Sequence, residues 1–150
     1  MEFNDLIPEI SHDGFQIVSG DMFRHMQRIS LPSATLWHNS ISFNKASIHA
    51  LNNCERIRIE VNSKTKCILI VPVTMKDKNN VQWLKNNKDP QARKIECIAF
   101  TSQLYATWEW NKDFVYRTPG RVVTIDKKVM LLYDFNNPEK WLYTEKAKAN

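Results

Sequence analysis

NSISFNKASIHALNNCERIRIEVNSKTKCILIVPV, residues 39–73, decides the architecture of this chain. Ile41 and Phe43 alternate with Ser40 and Ser42, the period of two that marks a strand with one buried face. Asn44 follows, a residue type whose side chain can accept a bond from an unpaired amide of a first helical turn. Ala46, Ile48 and Leu51 share one face of a short helix, which Asn52 and Asn53 stop. Ile57, Ile59 and Val61 then alternate with Arg56, Arg58 and Glu60, a strand that buries aliphatics and exposes charges. Residues 62–65 are a polar turn. Residues 67–73 are an almost wholly apolar run rich in β-branched side chains, which predicts a strand covered on both faces.

The same order recurs over residues 94–135. Ile98 and Phe100 take the places of Ile41 and Phe43, and Thr101 that of Asn44. Leu104, Tyr105 and Trp108 give a helix face, and Phe114 and Tyr116 stand for Ile57 and Ile59. The offset is 57 residues from Ile41/Ile98 to Ile59/Tyr116. The register breaks at Pro119 and Gly120. A turn at Asp126, Lys127 and Lys128 then leads into a last apolar strand from Val129 to Tyr133. Repeated units pack on each other because one alone cannot bury its apolar face. The expectation is an α+β, mainly β fold: two β-α-β-β repeats packed as a pseudo-two-fold β-barrel with short helices. Two similar β-α-β pieces of one α+β domain are the alternative.

The repeat resembles the swapped-hairpin unit of AbrB- and MazE-like DNA-binding proteins, which pair two such units into a small β-barrel. A broader likeness rests on SISFN, IRIEV, LIVPV, VQW, IECIAF, the Trp108/Trp110 pair, FVYR and LLYDF, spanning residues 15–135. These runs resemble a group of small proteins carried on bacterial mobile elements, often near site-specific recombinases. That group often has an arginine before the proline at the end of the third strand, where Val71 stands here. It often has Gly-Trp after the second helix, where this chain has Glu109 and Trp110. The likeness implies a context rather than a chemistry.

At 150 residues the expectation is a single domain, 1–150, large enough to need no stapling. Its parts are an N-terminal arm and helical turn (1–38), repeat one (39–75), a basic connector (76–93), repeat two (94–135) and a tail (136–150). Residues 15–18 have strand character, Asp21 opens a helical turn with Met22, Phe23 and Met26, and residues 80–86 read as a short helix or turn docked through Trp83. Three cysteines without short spacing predict a reducing, cytoplasmic setting. No apolar run approaches the ~20 residues of a membrane helix.

The net charge of +5 is uneven. Residues 1–30 hold five acids and two arginines, residues 31–100 eleven bases and five acids, and residues 101–150 eight bases and six acids. The excess of positive charge therefore sits on the repeats and the segment joining them. Arg56 and Arg58, two apart on a strand, project from one face. Lys64 and Lys66 extend that row. Arg117, Arg121, Lys127 and Lys128 hold comparable places in the second unit, and Lys85, Arg93 and Lys94 make the connector basic. Strands carrying such side chains can lie in a DNA groove with Arg and Lys on phosphates. Trp110, on the opposite side of the helix end from Trp108, is the candidate exposed anchor for a protein partner.

Nothing in the residue pattern calls for an enzyme. His12, His25, His38 and His49 lack the spacing that puts two ligands on one helix face. Ser11, His12 and Asp13 are adjacent, whereas a triad converges in space. No catalytic group, cofactor or metal is expected. The functional expectation is a DNA-binding accessory or regulatory protein of a mobile element, monomer or homodimer, with no membrane partner. The alternative is a protein-binding regulator or inhibitor of a recombinase or host nuclease, without DNA affinity of its own.

Overall fold

The computed structural model describes residues 7–20, 31–84 and 93–143, Arg93 by its backbone alone. The helical turn expected from Asp21, the connector lysine Lys85, the Arg93 side chain and the tail from Thr144 lie outside these residues.

The alternating patterns are carried into antiparallel strands. In chain order the elements are β1 (Ser33–Trp37), β2 (Ser40–Phe43), α1 (Lys45–Ala50), β3 (Arg56–Asn62), β4 (Cys67–Val73), β5 (Val81–Gln82), β6 (Arg93–Glu96), α2 (Ile98–Thr107), β7 (Phe114–Ile125), β8 (Lys128–Asp134) and β9 (Glu139–Leu142). They form one antiparallel, curled half-barrel sheet in the order β5-β3-β4-β8-β7-β1-β2-β6, with β9 also on β7. The twelve-residue β7 is the spine. Residues 116–119 pair with β1, residues 120–125 with β8, and residues 114–117 with β9.

The concave face carries the core. Ile57, Ile68, Ile70, Leu131 and Tyr133 meet Leu36, Ile41, Phe43 and Ile48 there, all fully buried. Polar bonds from three core side chains fix its register. The buried Tyr133 hydroxyl bonds Ser47 Oγ at 2.6 Å. Trp83 Nε1 donates to the Cys54 carbonyl at 2.6 Å. The Tyr105 hydroxyl lies 2.8 Å from the carbonyls of both Leu36 and Phe114. Gly120 is needed where β7 crosses Tyr133: a Cβ there would stand 2.5 Å from Tyr133 Cε1.

Asn44 caps α1 as its position predicts. Its Oδ1 accepts from the Ser47 and Ser33 amides at 3.1 and 2.9 Å, and its Nδ2 donates to the Leu31 carbonyl at 2.7 Å. Asn52 and Asn53, both at φ 56°, end that helix region in the left-handed conformation asparagine tolerates. The β7–β8 turn uses Asp126 and Lys127 at φ 51° and 66°, the paired positive values of a type I′ hairpin turn.

Three local expectations are corrected. Ile98 and Phe100 belong to α2, not to a strand; the strand is β6, and the helix starts after Cys97, so Thr101 is not its cap. Thr101 Oγ1 instead donates back to the carbonyls of His38 and Cys97. Val81 and Gln82 form β5 on β3 rather than helix, although Trp83 is buried as expected. Residues 15–18 form no strand.

Contacts divide the chain into Met1–Ser30 and Leu31–Asn150. In the first unit residues 7–20 are exposed throughout. His12 stacks on Phe15 with ring centroids 6.1 Å apart, and Gly14 turns the chain at φ 86°. No helix among the described residues is long and apolar enough to cross a membrane.

Candidate binding surfaces

Side chains alternate across a strand, so the residues between the core positions stand on the outer face of the curled sheet. Arg56, Arg58, Lys94, Arg117, Arg121 and Lys128 all fall there. They share a sheet face, spread over strands from one end of the sheet to the other. β3 and β6 stand near opposite ends of the strand order of the curled sheet.

Several of these cations are engaged within the fold. Arg56 Nη1 donates to Asn80 Oδ1 at 2.7 Å. Arg58 pairs with Asp77 at 2.6 Å and Glu60 at 2.9 Å. The Asn79 amide and then the Arg58 guanidinium hold the Asp77 carboxyl below the usual carboxylate range. Lys94 Nζ stands 4.6 Å from the Trp37 ring centroid. Arg117 lies 4.9 Å from that of Trp141 and donates through Nε to Thr35 Oγ1 at 3.1 Å. Lys64, Arg121, Lys127 and Lys128 are exposed, whereas Lys66 is half-buried at φ 56° and accepts the Phe135 amide on its carbonyl.

Between the charges the outer face is apolar. One row runs straight across four strands: Glu60 opposite Leu69, Leu69 opposite Leu132, Leu132 opposite Arg121. In the next rows Val71 faces Arg58, Val123 faces Met130, and Ile125 faces Lys128. Of these, Glu60, Leu69, Leu132, Val123 and Ile125 line a groove of about 810 Å³, which Cys67, Val61 and the turn residues Lys64 and Thr65 close at the hairpin end, with Arg121 outside its lining. A depression of about 350 Å³ adjoins it, lined by Arg58, Val71, Met130 and Lys128. The apolar run of residues 67–73 was the signal for this groove. It predicted a strand covered on both faces; Val71 is buried, but Leu69 opens onto the groove.

Trp110 is not the exposed anchor its position suggested. Its ring stacks on Tyr116 at 3.8 Å and 15°, and meets Tyr105, Trp108 and Phe135 edge-on at 5.0–5.7 Å. It is half-buried in an aromatic cluster that closes the core under α2. A second, smaller cleft was not foreseen; it involves Trp37, His38, Lys112, Phe114 and Tyr143.

Among the described residues no three His, Cys, Asp or Glu side chains gather as metal ligands would. Cys54, Cys67 and Cys97 are free thiols, and burial pushes those of Cys54 and Cys97 above the ordinary thiol range. The phenols of Tyr105 and Tyr133 are likewise pushed up by burial and serve the fold as hydrogen-bonding groups. No family model, curated protein or solved structure matches the chain, so the reading of these surfaces rests on their own geometry.

Proposed function

We propose that this chain is a protein-binding regulator whose working surface is the apolar groove on the outer face of the β3–β4–β8–β7 hairpin pair. The observation that carries the reading is the Glu60–Leu69–Leu132–Arg121 row. It has an aliphatic centre and one charge of each sign at its ends, the composition of a partner interface with an apolar core and polar rim. Phosphate recognition would favour unpaired cations around the groove, and Arg58, in the neighbouring row, is instead held by Asp77 and Glu60, which leaves Arg121 as the exposed cation of the row.

A two-repeat, pseudo-two-fold origin fits this surface. β2 pairs with β6 and β4 with β8, while β1 pairs with β7 as β5 pairs with β3, an exchange that supports the repeat once β6, rather than residues 98–100 of α2, is set against β2. The groove then straddles the β4·β8 junction of the two halves. The likeness to mobile-element proteins makes a recombinase or a host nuclease the first partner class to test.

The test is co-purification of the tagged chain with such candidates, beside Leu132→Asp and Val123→Asp. A complex retained by the wild type and lost in both variants, with native circular dichroism kept, is the expected result. Candidates retained equally by wild type and variants would refute the reading. So would duplex DNA binding at 150 mM salt that both variants leave intact.

A DNA reading has its own support in Lys127 and Lys128, exposed together at the turn of the β7–β8 hairpin, with Arg121 exposed farther along β7. It predicts that duplex affinity falls with salt at a log–log slope near −5 if about six phosphates are met.

A further inference from the structure

At the N-terminal end of β7 the cleft of about 250 Å³ is lined by Trp37, His38, Phe114 and Tyr143, with Ile98 and Lys112. Asn39 and Val115 complete the lining, so four of its eight residues carry aromatic or imidazole rings. Outside the lining, ammonium groups stand over two of these rings from opposite faces of the sheet: Lys94 Nζ lies 4.6 Å from the Trp37 centroid and Lys140 Nζ 5.6 Å from that of Phe114. The Lys112 side chain is exposed. Tyr143, itself exposed, is held in place by its amide, which donates to the Asp113 carbonyl at 2.8 Å. His38 meets Tyr105 edge-on at 5.4 Å, so its ring is fixed against the core.

Rings that are partly open, with ammonium groups stationed beside them, suit a ligand that is flat and anionic. Apolar ligands would gain nothing from Lys94, Lys112 and Lys140, and an inorganic anion would gain nothing from the rings. The volume lies below the ~300 Å³ at which drug-sized sites begin, so it admits one ring system. We infer that this cleft takes a base of single-stranded nucleic acid, with neighbouring phosphates on Lys94, Lys112 and Lys140. A base inside a duplex has both its faces covered by its neighbours, whereas an unpaired base offers one to an aromatic side chain. Glu96, Asp113 and Glu139 are the carboxylates of the same surroundings, Glu96 opposite Ser40 and Glu139 opposite Arg117, so the affinity is modest and salt-sensitive. The inference goes beyond the protein-binding proposal and uses a different part of the surface, so either can fail alone.

The test uses the full chain and a fluorescent oligothymidylate, followed by anisotropy between about 50 and 300 mM salt. The matching duplex and free thymidine monophosphate are run beside it. Three phosphate contacts give a single-strand slope of about −2. Tyr143→Ala, at an exposed position, weakens binding roughly 5- to 100-fold through lost stacking. Lys112→Ala reduces the slope by about 0.7. The inference is overturned if the strand does not bind, if the duplex binds equally well, if the free nucleotide matches the strand, or if both variants bind as the wild type does.

Discussion

Gly120→Ala tests how tightly the spine strand is locked to the core. The new methyl would sit 2.5 Å from Tyr133 Cε1 and 2.9 Å from Cδ1, distances that real Cβ atoms do not tolerate, and a tight 3.0 Å from Cζ. Tyr133 cannot swing aside. It is fully buried, its ring lies 5.8 Å from that of Phe43, and its hydroxyl is bonded to Ser47 Oγ at 2.6 Å. Overpacking of this kind costs about 1–3 kcal/mol, and a tilted ring would lose a further ~1 kcal/mol with the buried hydrogen bond. The variant should therefore be about 2–3 kcal/mol less stable by urea unfolding, and should melt about 4–12 °C lower at this chain length. Tyr133→Leu removes the obstruction, at its own cost of a few kcal/mol. In that background Gly120→Ala should be neutral or stabilising by up to ~1 kcal/mol, because it only narrows the unfolded ensemble. Equal effects in both backgrounds, or a change within ~0.5 kcal/mol in the wild type, would refute the steric reasoning.

Asn44→Ala removes a helix cap together with the tie to Ser33 and Leu31, so it should destabilise by about 2 kcal/mol, the upper end for such caps, on a chemical melt. Asp77 and Asp134 have lowered folded pKa values, from the amides of Asn79 and Asn136 first and then from Arg58 at Asp77 and the Asn136 side chain at Asp134. Their contribution is present above the ordinary carboxylate range and is lost as pH falls through the folded values. Asp77→Asn should therefore flatten the acid limb of stability below about pH 4 and leave its shape at neutral pH unchanged. Burial raises the thiols of Cys54 and Cys97, whereas Cys67 lines the groove. A bulky maleimide at neutral pH should label Cys67 first, as read by peptide mass mapping, and the labelled chain should lose its partner.

Much of the fold was legible because local patterns and tertiary placement agree. Ile57, Ile59 and Val61 face the core as their alternation requires, Asn44 caps α1, and Asp126 and Lys127 make the tight turn. Ile98 and Phe100 misled because two apolar residues two apart fit a strand or the first turn of a helix equally well. What decides is the pairing of residues 93–96 with Ser40–Phe43, which no local window contains. Residues 15–18 have strand character but form no strand. The basic residues were placed on the right side of their strands, yet curl and ion pairing are tertiary. Arg58 reads as a free cation until Asp77, nineteen residues on, is seen against it. The groove hid for a similar reason: in an apolar run such as residues 67–73, an outward Leu69 and an inward Ile68 look alike until the sheet assigns their faces.

The most direct measurement is the affinity of a co-purifying protein partner for two variants at 150 mM salt, Leu132→Asp in the middle of the groove and the triple charge variant Arg58→Ala/Arg121→Ala/Lys128→Ala at its border. An apolar interface core predicts that Leu132→Asp abolishes binding while the charge variant stays within about tenfold of the wild type, since rim charges contribute mainly to encounter rates. The reverse order, with binding lost in the charge variant and kept in Leu132→Asp, would contradict the account.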